Sequence, residues 1–276
     1  MPLVVGAIVP HGGAAIPALA GDRLELFRPT REGLEAAGRS VQAAKADVLV
    51  VVTPHGIRAE GRLALSYSER TEGVMGHGDG RVVASHPVDR PLARALAEAA
   101  EAAGIPTALL SYGASSGPHS CLPMDWGVQV PLYFLAPTRE GASAQRVVTV
   151  VPSRALSFDT LARFGEVLCA VAGASEDRVA LVASSDLCHA HDADGPYGFD
   201  PAAAVLDAHI VDRVQADDLS ALLHVDPTLI EHGKPDGLWQ IAVLTGARRG
   251  VAWRSTFLQY QVPTYFGMLS AVYTAP

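Results

Sequence analysis

The chain has 276 residues, 49% of them hydrophobic and 18% charged, with a formal net charge of −8; this is the balance of a folded globular protein and excludes a disordered one. Its 21 Lys and Arg residues are scattered rather than gathered in a stripe, which argues against nucleic acid as a main partner. The longest apolar runs are strand-sized, short of the ~20 residues a membrane span needs, and three cysteines with no CxxC pair argue against a disulfide framework or a structural zinc site.

The N-terminus opens at once on strand-like sequence, with no basic n-region and no cleavage site, so a cytoplasmic location is expected. No linker or jump in composition divides the chain, so one domain over residues 1–276 is expected. In chain order, the apolar run in "VVGAIVPHGG" (4–13) predicts a first strand. Residues 29–46 are Ala-rich with helical spacing, and 47–53 read as a buried strand. Residues 61–85 predict a short strand and a glycine-rich loop, 90–104 a helix ending in Gly, and 107–112 a strand. "GVQVPLYFLA" reads as strand then helix. Then come a strand (145–152), a helix (158–174) and a strand (178–185). From Pro201 to Gly246 the pattern is mostly helical, and the tail has the composition of a β-hairpin or two edge strands.

Strands alternating with helices predict an α/β fold, a single domain with a mixed central β-sheet flanked by helices. In such sheets ligands bind outside the carboxyl ends of the strands. Three histidines follow strands at that end: His11, His55 in "LVVVTPHGIR" (49–58), and His189 in "VASSDLCHAHD". Pro fixes the chain before His11 and His55, and Gly after them lets it turn. Two imidazoles and one carboxylate make the facial triad of non-haem Fe(II). The carboxylate candidates are Asp236 and Glu231, ahead of an apolar helix that Asp236 could equally cap. His189 is a candidate general acid/base with Asp186 to orient it, while His191 and Asp192 are expected nearer the loop surface. Cys188 reads as a buried filler. His119 and Asp125 are polar residues ahead of an apolar run, and Trp126 offers a flat aromatic face. His119 and Trp126 are the substrate-binding candidates. His77 is expected in a loop, and His86, His209, His224 and His232 read as structural or surface residues.

Taken together, "PHGG", "TPHG", "MDWGVQVPL", "SSDLCH" and "KPDGLWQIAVLTGA" resemble the class III, LigB-type extradiol ring-cleaving dioxygenase superfamily, in the expected order over essentially the whole chain. The resemblance implies Fe(II) held by His11, His55 and an acid at Asp236 or Glu231, with the register of the last helix favouring Asp236 although the family usually has Glu there. Zinc or manganese are alternative metals. His189 matches a histidine that moves protons between substrate and bound oxygen. The implied reaction is ring opening of a catechol or aminophenol by O₂, with Trp126, Tyr197 or Phe199 flanking the ring. A homodimer is the default expectation for a soluble enzyme, and the resemblance adds a small helical partner subunit that closes the pocket in some members. Trp126 stands where ring-cleaving members have a pocket histidine. "SSDLCH" is also similar to the Memo-like branch, whose members carry a cysteine in the last ligand region; here none follows Cys188. The other readings are thus a Memo-like metal-binding or redox protein without ring cleavage, and a zinc-dependent hydrolase with His189 as base.

Overall fold

A computed structural model describes residues 3–137 and 145–276. In chain order its elements are β1 (Leu3–Val9), α1 (Pro17–Ala20), α2 (Arg28–Ala43), β2 (Val48–Val52), β3 (Leu63–Ser66), β4 (Arg70–Met75), β5 (Val82–Pro87), α3 (Arg90–Ala102), β6 (Thr107–Leu110) and β7 (Cys121–Pro123). They continue with α4 (Trp126–Leu135), β8 (Arg146–Pro152), α5 (Phe158–Ala174), β9 (Val179–Ser184), α6 (Pro201–Gln215), α7 (Pro227–Gly233), α8 (Leu238–Arg248), β10 (Arg254–Gln261) and β11 (Met268–Thr274).

Eight strands form the central sheet in the order β10-β11-β1-β9-β2-β8-β3-β6. The block β1-β9-β2-β8 is parallel. β11 pairs antiparallel with β1, and β3 antiparallel with β8, so the sheet is mixed, as the sequence predicts. The central strands are mostly apolar, as coverage of both faces requires. Successive residues point to opposite faces: Val48, Val50 and Val52 join a core that includes residues of α3, α5, α6 and α8. Leu49 and Val51 join a second core with α2 and α4. The predicted C-terminal hairpin is present as β10 and β11.

Two stretches differ from the expectation. Residues 61–85 hold β3, β4 and most of β5; β4 pairs with both β5 and β7 in a separate three-stranded sheet. Residues 127–135 are helical without a strand, although Pro131 lies inside the helix. Proline has no N–H to give the carbonyl four residues back, so the carbonyl of Gly127 lacks its helical donor; the hydroxyl of Ser184 supplies one instead.

Helices α5 and α8 cross at glycines. A methyl group on Gly165 would overlap the backbone of Val243, and one on Gly246 would overlap the backbone of Ala162. The backbones meet there with no side chain between them. Gly246→Ala is therefore expected to force the helices apart, at a cost of about 1–3 kcal/mol, read as a lowered midpoint in thermal denaturation.

Candidate metal centre

The register of the parallel strands assembles the site. Val9 pairs with Ser184 and Val52 with Ala183, so the chain leaves β1, β2 and β9 on one rim. His11, His55 and the segment from Ser185 to His189 emerge together there. The glycines after the two histidines serve different ends. Gly56 has φ +91°, a conformation that L side chains rarely adopt. Gly12 has an ordinary φ of −62°, but any Cβ there would strike the methyl of Met268.

His11 is 1% exposed and sits at the centre. Its Nε2 is 3.1 Å from His55 Nε2, 3.3 Å from Asp186 Oδ2 and 3.4 Å from Asp236 Oδ2. His55 Nε2 is 3.7 Å from Asp236 Oδ2, and His189 Nε2 is 3.9 Å from it. Two ligands about 2.1 Å from one ion are about 3.0 Å apart along an octahedral edge and about 3.4 Å along a tetrahedral one. The spacings from His11 to His55 and to Asp236, 3.1 and 3.4 Å, fall in that range and the His55–Asp236 spacing of 3.7 Å lies just beyond it; the three ligand atoms all lie within 4.8 Å of one another. Asp236 Oδ1 is buried and has no hydrogen-bond partner among the described residues. A buried carboxylate with one oxygen toward two imidazoles and the other without a partner fits a divalent cation.

The ring nitrogens are oriented from behind. Ser184 Oγ is 3.0 Å from His11 Nδ1. Because that hydroxyl donates to the Gly127 carbonyl, it can only accept from His11. Nδ1 thus carries the proton and Nε2 is left for a ligand bond, as metal-bound histidines require. His189 Nδ1 likewise donates to the Lys234 carbonyl at 3.1 Å, aimed by the left-handed conformation of Lys234 at the end of α7.

Burial lowers the basicity of His11, but the charges of Asp186 and Asp236 outweigh it and raise its pKa to about 9. Burial, then the His11 cation beside it, lowers His55 to about 4. Burial raises Asp186 to about 6 despite the His11 cation.

The predicted residues are distributed as follows. His11, His55, Asp186, His189 and Asp236 converge. Asp186 hydrogen-bonds the backbone N of His11 at 2.9 Å, and the carbonyl of Lys234 is what holds the His189 ring. Asp236 is not the cap of α8, whose N-cap is Gly237. Glu231 is exposed on α7 and reaches the adjoining cavity, outside the two clusters of metal-ligand spacing. Trp126 is 50% exposed and packs on His55 with ring centroids 4.2 Å apart. Tyr197 lines the cavity, whereas Phe199 is 64% exposed. His119 lies on an exposed loop between β6 and β7 and does not line that cavity. Cys188 is buried, as expected of a filler. His191 departs from its expected place at the surface: its Nε2 is 2.9 Å from Asp207, a fully buried acid of α6.

Sequence reasoning passed over Ser184, Lys234 and Asp207. Asp207 also accepts from Cys188 N at 2.9 Å and Tyr260 Oη at 2.7 Å, which ties down the loop that carries His189. Its signal was available, because Asp207 interrupts the apolar stripe Ala203, Leu206, Ile210, Val214 of α6. The cavity beside the cluster has a volume of about 560 Å³ and is lined by His55, His189, Asp236, Arg58, Arg154 and Trp239 among others, a size suited to a small organic ligand.

The family described as the catalytic LigB subunit of aromatic ring-opening dioxygenase matches residues 6–269. Protein CA_C1420 of Clostridium acetobutylicum is 25% identical over 256 residues, which is 92% of this chain and 54% of that protein; the chain thus spans about half the length of this relative. The crystal structure of the uncharacterized protein JW3007 from Escherichia coli K12 superposes with a TM-score of 0.59 at 15% identity, covering 98% of this chain and 99% of that one, a likeness of fold. Among the described residues no helix is long and apolar enough to cross a membrane.

Two outcomes are expected of metal binding. A divalent ion must displace the proton that His11 holds up to about pH 9, so binding releases about one proton at neutral pH. Apparent affinity rises about tenfold per pH unit up to that value and then levels off, as calorimetry in buffers of different ionisation enthalpy would read. Ser184→Ala leaves His11 Nδ1 without its acceptor and is expected to weaken binding about 10–100-fold in the same titration.

Proposed function

This chain belongs to the LigB family, the catalytic subunits of aromatic ring-opening dioxygenases, and from that premise we propose that it is a non-haem Fe(II)-dependent extradiol dioxygenase acting on a catechol-type or aminophenol-type substrate. The observation that carries the reading is the convergence of His11, His55 and Asp236 with one carboxylate oxygen buried and unpartnered. These three residues would hold the iron and leave its other face to substrate and O₂. When bound, iron supplies electron transfer from a chelated aromatic diol to O₂, which side chains cannot perform.

The chain's own residues do the rest. His189 has its Nδ1–H engaged by Lys234, so Nε2 is the atom that accepts a phenolic proton and returns it as the ring opens. Phe266 stacks on the His189 ring at 5.2 Å with 10° between planes, and Tyr197 stands edge-on at 5.6 Å; both hold the base in place. Trp239, with Arg154 over its ring at 4.7 Å, supplies an aromatic wall. A homodimer, a closing partner subunit and a cytoplasmic location belong to the same reading.

The test is O₂ consumption by protein loaded with one equivalent of Fe(II) without air, on adding a panel of catechols and aminophenols. Uptake matched by a yellow ring-opened product is expected. His11→Ala and His55→Ala should lose both iron and turnover. His189→Gln should keep this iron and lose about 10²–10⁴-fold in turnover. Bound iron without uptake for any compound would overturn the reading, and ester or amide cleavage by the zinc form would replace it with a hydrolase.

A further inference from the structure

We infer that the site offers a second divalent-metal position, made by Asp186, His189 and Asp236, whose carboxylate it would share with the first. Two sets of ligand atoms at metal spacing share Asp236: His11 with His55, and Asp186 with His189. Asp236 is 6% exposed. Its Oδ2 faces the histidines, while its Oδ1 has no hydrogen-bond partner among the described residues. A carboxylate with two available oxygens between two ligand sets is the usual bridge of a pair of ions about 3.5–4 Å apart.

Hydrogen-bond accounting leads to the same place. Asp186 is 3% exposed. Its Oδ1 accepts from the backbone N of His11, and its Oδ2 has His11 Nε2 as neighbour at 3.3 Å. Once His11 Nε2 faces an ion, it no longer donates to that oxygen. With the first position filled, that oxygen is free to act as a ligand of a second cation. His189 completes the set in the manner of a ligand histidine: Nδ1–H on a backbone carbonyl, Nε2 toward a carboxylate.

This position competes with the role proposed for His189. Nε2 can bind a cation or carry a proton, not both. Excess divalent metal is thus expected to silence the proton step while leaving the first ion in place.

The inference needs only the ligand set, not the ring-cleavage reading, and its test uses neither O₂ nor an aromatic. Metal-free protein is titrated with Mn(II), followed by calorimetry, by metal analysis after gel filtration, and by electron paramagnetic resonance. Two ions per chain are expected, with a magnetically coupled spectrum at the second equivalent. Asp186→Asn and His189→Gln should each bind one ion and give an uncoupled spectrum, with circular dichroism confirming the fold. His189 is the milder site, at the cavity edge with 13% of its side chain exposed. A single ion in the unaltered protein, or two ions retained in both variants, would overturn the inference.

Discussion

The site depends on the parallel pairing of β1, β9 and β2. With β9 in the middle and the registers Val9–Ser184 and Val52–Ala183, residues that leave these strands have one rim to leave from. The antiparallel neighbour contributes in the opposite sense. β11 pairs Ile8 with Ala271, so its start, not its end, lies at the same rim. That places Tyr265 and Phe266 beside His189, with ring centroids at 5.8 and 5.2 Å. Parallel strands thus deliver the ligands, and the antiparallel strand delivers part of the aromatic wall behind them.

The cluster so assembled is buried, which governs its electrostatics. Two carboxylates of low exposure, Asp186 and Asp236, meet one imidazole within 3.4 Å. Without a metal, His11 serves as the cation between them, which is why its pKa rises to about 9 while the second imidazole beside it falls to about 4. Metal uptake is then an exchange of one buried cation for another, not the entry of charge into a neutral pocket. The burial that would penalise an empty pair of acids keeps the site paired in both states.

What the sequence made legible followed from local chemistry. Pro-His-Gly after an apolar run marks a strand end with an aimed ring, and both copies lie where that reading puts them. Asp236 and Glu231 were both legible as acids ahead of an apolar helix, and of the two it is Asp236 that the structure places within 3.4 Å of His11. The features missed are relations between distant segments. Ser184 looks like any strand-end serine until Pro131, 53 positions away, is seen to leave the Gly127 carbonyl without its helical donor. The helical spacing of residues 127–135 was obscured because that run is buried almost all round, which removes the polar side of the pattern. His191 looked solvated because its partner, Asp207, lies on a helix not yet placed. His119 was read as a candidate because it stands ahead of the apolar run of α4, but β7 lies between the two and His119 is on an exposed loop.

The position of Asp236 also carries a structural cost. An Asp ahead of a helix ordinarily accepts from first-turn N–H groups, worth about 1 kcal/mol. In α8 no side chain does so, and Asp236 faces the histidines instead. The helix start is fixed by packing. A Cβ on Gly237 would lie 2.7 Å from the Asp186 carbonyl and 2.6 Å from Ser185 Cβ, so the backbone before α8 rests directly on the segment that carries the other site residues. At the far end Gly246 rests on Ala162. Close backbone contact at both ends holds α8 without its cap, and the freed carboxylate becomes the group on which both proposed ligand sets converge.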